Sequence, residues 1–151
     1  MSYETVLPTT SERVPQNTAE EINTRIRRST LEHLDEVGTD RALMEARLRA
    51  LEKEWDIERA IESNAASAAL VGLALGATVH KRWFVLPALV ASFLLQHSIQ
   101  GWCPPVPVLR RLGFRTQREI DNERAVLKAR RGDFKTIVEG SSKQALRAME
   151  R

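Results

Sequence analysis

The chain has 151 residues, 28% of them charged, and a formal net charge of +3, which suits one modest domain. Acidic and basic residues alternate through both flanks, so the pI of about 9.4 describes solvated helix faces and excludes the basic stripe of a nucleic-acid-binding protein. A lone cysteine, Cys103, excludes an internal disulfide scaffold. The charges are also segregated: between Ser63 and Leu109 only Lys81 and Arg82 carry one.

Residues 1–17 are polar, contain Pro8 and Pro15, and hold no apolar run that would make a cleaved signal peptide; they read as a disordered tail. Residues 18–62 read as amphipathic helices. Thr18 with Glu21 has the spacing of a capping box, and Ile22, Ile26, Leu31, Leu34 and Val37 fall on one face before Gly38 ends the helix. Helix restarts at Thr39, with Met44, Leu48, Leu51 and Trp55 at helical spacing and Arg41–Glu45 and Glu45–Arg49 as i,i+4 pairs.

Residues 63–103 change character. SNAASAALVGLALGATVH is apolar on every face, and WFVLPALVASFLLQHSIQGW is the ~20 residues that cross a bilayer, edged by Trp83 and Trp102. Only HKRW separates the apolar segments, which forces an antiparallel helical hairpin with Pro87 in the first turn of its second helix. Two core helices of a soluble bundle are the competing reading. The flanks offer too few amphipathic helices to cover two such rods. Lys53 and Arg59 before the hairpin, and Arg110, Arg111, Arg115 and Arg118 after it, outnumber Lys81 and Arg82 in the turn, which places both termini in the cytoplasm.

In residues 104–151, Pro104, Pro105 and Pro107 predict an extended path along the interface. Thr116 with Glu119 predicts a helix over 117–131 stopping at Gly132, and Ser141 with Gln144 a last short one. The expected fold class is therefore all-α: a two-helix transmembrane hairpin with flanking amphipathic cytoplasmic helices.

Four groups of residues are candidates for function. Ala68, Gly72 and Gly76 form a small-residue stripe suited to close helix contact, either with the second helix of the hairpin or with a second copy. Gln96, His97 and Gln100 read as interfacial polar residues, His97 as a hydrogen-bonding group and the two glutamines as partners across a dimer. Trp83, Trp102, Arg110 and Arg111 read as membrane-edge anchors. Cys103 is a candidate thiol, equally readable as a reactive group beside arginines or as a buried apolar side chain under Trp102. No zinc-ligand spacing and no catalytic constellation is present in the sequence, so neither metal, cofactor nor enzymatic activity is expected.

The run GWCPPVPVLRRLGFRT after an apolar hairpin resembles the YgaP-like transmembrane family. Gly101, Trp102, Cys103 and Pro104 match its glycine, aromatic, Cys-Pro element, and Leu112, Gly113, Phe114 and Thr116 approximate its second segment. The resemblance, over about residues 61–116, implies a bacterial inner-membrane hairpin paired with a second copy. Some members carry a rhodanese domain that moves sulfane sulfur; this chain has none, and its PPVPVLRR link and helical extensions depart from the family core. The reading is a self-associating anchor in membrane lipid, with a cytoplasmic protein as a further partner; the alternatives are a sulfur or redox accessory using Cys103 and a soluble helical interaction protein.

Overall fold

The computed structural model describes residues 10–134. The order is α1 (Thr10–Gln16), α2 (Glu20–Val37), α3 (Arg41–Lys53), α4 (Ile57–Thr78), a 3-10 turn (Lys81–Phe84), α5 (Val85–Gln100), α6 (Pro105–Arg111) and α7 (Gln117–Arg131). The protein is all-α among the described residues. The helix expected at residues 141–144 lies outside them.

Four boundaries differ from the sequence reading, each for a local reason. The expected tail contains α1, held because Val14 is wholly buried. Thr18 does not open α2. Its Oγ1 donates to the Val14 carbonyl at 2.7 Å, so it closes α1. The helix restarting near Thr39 is capped by Asp40, whose carboxylate accepts from Ala42 N and Leu43 N, and it breaks after Lys53. Asp56 then caps α4 by accepting from Arg59 N at 2.6 Å, while Ile57 N donates to the Arg115 carbonyl at 2.8 Å. Finally, the proline run forms α6 where an extended path was expected. Pro105 and Pro107 fall in a first turn, whose N–H groups have no intrahelical acceptor, so the missing donors cost little there. Helix α7 occupies the expected range and stops at Gly132.

The chain divides into two units. One comprises Arg27–Glu54 with the described residues from Glu119 on. Its core is Leu34, Val37, Met44, Leu48, Leu51, Ile120 and Leu127, the apolar stripes of α2, α3 and α7. The Glu123 carboxylate, with no exposed side-chain surface, takes a two-pronged contact from Arg47: Nε to Oε1 at 2.7 Å and Nη2 to Oε2 at 3.2 Å. Arg47 Nη2 also lies 2.9 Å from His33 Nδ1; a guanidinium only donates, so Nδ1 accepts. Arg130 donates to the Leu34 carbonyl and Arg124 to that of Leu51, so α7 supplies donors to the last turns of α2 and α3.

The other unit comprises Trp55–Arg118 with the described residues up to Ile26. It holds the apolar helices α4 and α5, and its core gathers Val14, Ile57, Ile61, Cys103 and Val106, flanked by Leu94, Leu109 and Phe114.

Candidate membrane hairpin and its base

Two helical stretches, one ending at Thr78 and one running Lys81–Gln100, are long and apolar enough to cross a membrane. Helices α4 and α5 lie antiparallel, joined by His80 and the 3-10 turn, in which the His80 ring accepts from Arg82 N. Contact near the turn is close. A Cβ on Gly72 would sit 2.6 Å from Pro87 Cδ, and one on Gly76 would sit 2.7 Å from Phe84 Cδ1. The glycines are thus consumed inside the hairpin, the first of the two roles open for the stripe. Ala68 lies lower on the same face and lines a cleft between the helices.

The described residues leave the outer faces largely uncovered. Only 6% of the apolar stretch of Lys81–Gln100 is buried within the chain, whereas the core helix of a soluble protein is mostly buried. Leu70, Val71, Leu73, Val85, Leu89, Leu95 and Ile99 are exposed on α4 and α5. Exposed large apolar side chains are thus concentrated on these two helices, where single scattered ones are ordinary in soluble proteins.

Polar side chains on these helices turn inward to their own backbone. Asn64 donates to the Ala60 carbonyl, Ser67 to Ser63, Thr78 to Ala74, Ser92 to Ala88 and Ser98 to Leu95, all at 2.7–2.9 Å. Gln96 Nε2 donates to Gln100 Oε1 at 3.3 Å along the helix. This bond links the two glutamines within one chain and uses one polar atom of each amide. These bonds reduce the need for water on the apolar faces, the condition hydrocarbon imposes.

At the base, the last four carbonyls of α5 are all satisfied without solvent. Gly101 N donates to His97 O at 2.7 Å; Arg13 donates through Nη2 to Ser98 O at 3.0 Å and through Nη1 to Ile99 O; Asn17 Nδ2 donates to Gln100 O at 3.0 Å. Helix α1 is thus a cap supplied from 80-odd residues away in sequence. Gly101 permits it twice over: its φ is +70°, and a Cβ there would lie 2.4 Å from that of Arg13.

No family model, curated protein or solved structure matches the chain.

The remaining predicted residues fall as follows. Cys103 is 2% exposed in the core beneath α1, and burial pushes its thiol up, with a weaker opposing pull from the backbone N–H of Val106. It has the buried-cysteine environment of the two that were open. His97 is buried, and neither ring nitrogen has a hydrogen-bond partner among the described residues. Trp83 is 44% exposed on the 3-10 turn, and Trp102 is half-buried at the opposite end. Arg110 departs most from expectation. It is wholly buried, donating to Phe114 O at 3.1 Å and Asn23 Oδ1 at 2.9 Å, so its guanidinium serves the fold and does not face lipid. Arg111 is exposed, and its carbonyl accepts from Arg25. Sequence reading missed Arg13, Asn17 and Asn23. Their only local signal was polarity, and their acceptors lie more than 80 residues away.

Proposed function

We propose that this is a small, non-enzymatic integral protein of the bacterial inner membrane, in which α4 and α5 cross the bilayer and both termini are cytoplasmic. It acts as an anchor, presenting the helices on either side of the hairpin to a cytoplasmic protein partner. The observation that carries this reading is the uncovered apolar surface of α4 and α5, whose polar side chains bond largely to their own helices. The excess of positive charge beside the base supports the orientation. Self-association is part of the proposal, and it uses the outer faces, since Gly72 and Gly76 are occupied within the hairpin. From the YgaP-like resemblance we take only the paired membrane hairpin; a sulfur-transfer role is not carried over, because Cys103 is buried.

The test combines alkaline carbonate extraction with labelling. In a Cys103→Ala background, Lys81→Cys or Arg82→Cys is expected to react with a membrane-impermeant maleimide added outside intact cells, and the protein to stay in the carbonate pellet. Release into the supernatant would refute the membrane reading; labelling only after lysis would refute the crossing.

A further inference from the structure

Between α4 and α5, below the glycine contacts, lies a cleft of about 290 Å³. Its walls are Ile61, Ala65 and Ala68 on α4 and Val90, Phe93 and Leu94 on α5, and Cys103, Pro104 and Pro105 meet it beyond the end of α5. The cause is visible in the sequence. Near the turn, Gly72 and Gly76 let the side chains of Pro87 and Phe84 seat against the α4 backbone, whereas lower down the small Ala65 and Ala68 line the open space. We infer that this cleft is a binding site for one acyl chain of a membrane phospholipid.

Three features select that occupant. The walls are almost entirely hydrocarbon, and the one amide among them, Asn64, already donates to the Ala60 carbonyl, so the cleft offers a polar ligand little to bind. Its volume approaches that of small-ligand sites, and its apolar walls offer ordered water too few polar partners. It opens between helices whose outer faces are themselves uncovered hydrocarbon, so acyl chains are the molecules at hand. This inference rests on the membrane reading above and deepens it. Ordinary boundary lipid exchanges over all faces alike, whereas a chain lodged between α4 and α5 touches protein on both sides and is retained.

Two measurements test it on the full-length protein. In the first, protein purified from membranes in a mild detergent is weighed by native mass spectrometry. The wild type is expected to carry one phospholipid per chain. Ala65→Leu/Ala68→Leu, which fills the cleft, should lower the lipid-bound fraction at least about tenfold, and Ala66→Leu, on an exposed position of the same turn, should leave it unchanged. In the second, which needs no variant to fold, wild-type protein is reconstituted in phosphatidylethanolamine–phosphatidylglycerol vesicles containing a phosphatidylglycerol with a mid-chain diazirine, and the photoadducts are mapped. Adducts should concentrate on 61–68 and 90–94. Adducts spread evenly over the outward Leu70, Leu89 and Leu95, or a wild-type protein that carries no lipid mass, or a lipid-free dimer cross-linked through the cleft, would each overturn the inference. Carbonate extraction separates the two failures: a pelleted protein without retained lipid sinks the site alone, and a released protein sinks the membrane reading with it.

Discussion

Replacing Arg13 by alanine isolates the cap that α1 places on α5. The change removes both guanidinium bonds to Ser98 O and Ile99 O and leaves those carbonyls without protein donors. A hydrogen bond to a charged group is worth about 1.5–3 kcal/mol, and a cation at a helix C-terminus adds about 0.3–1 kcal/mol. These two bonds are partly open to solvent, which screens them, so the combined loss should be about 1–3 kcal/mol. Because that energy holds α1 against α5, the loss should appear first as opening of α1. Hydrogen exchange on detergent-solubilised protein reads it directly: the amides of Val14, Gln16 and Asn17 should exchange roughly 5- to 150-fold faster in the variant, with α7 unaffected. Arg13→Lys should recover less than half of the protection, since one ammonium lacks the fork that spans two carbonyls. Gly101→Ala, by pushing a Cβ into Arg13 from the other side, should open α1 as well. Unchanged exchange in Arg13→Ala would refute the claim that the guanidinium holds the base closed.

Gly76→Leu should splay the hairpin at its turn, because the Cδ1 of Phe84 already lies 2.7 Å from where a Cβ would be; the amides of Val79 and Trp83, which donate to the Leu75 and His80 carbonyls, should then exchange with solvent faster than in the wild type. Glu123→Ala leaves Arg47 beside an emptied buried site and should cost about 3–5 kcal/mol, measured by denaturant unfolding; Arg47→Ala/Glu123→Leu should cost less than the single change. Burial raises the Cys103 thiol, so less thiolate exists at neutral pH than in a free cysteine. Alkylation by iodoacetamide should accordingly be at least about tenfold slower than for a free thiol at pH 7.5, with a midpoint above the usual ~8.5. A midpoint at or below that value would restore the case for Cys103 as an acceptor.

Local pattern made much of this protein legible. An uncharged stretch interrupted only by Lys81 and Arg82 predicts two apolar helices and a tight turn, because helical length and hydropathy are properties of consecutive residues. The stops at Gly38 and Gly132 are legible for the same reason: each needs a left-handed residue just after the last periodic position. The proline run misled, since a proline breaks a helix only when it is not in the first turn.

What tertiary structure decided is which partner each residue meets. Composition placed Arg110 among membrane-edge arginines, yet Asn23 and Phe114 surround its guanidinium and bury it. Spacing left the Gly72–Gly76 stripe two uses, and only the positions of Phe84 and Pro87 selected one. The polar residues around 10–17 read as a tail because a seven-residue helix has too few hydrogen bonds to hold itself. It forms because the orphan carbonyls of α5 need donors and Val14 has a core to enter. Periodicity is written in neighbouring residues and survives without the fold; the satisfaction of a helix end by a distant side chain exists only once the chain has closed on itself.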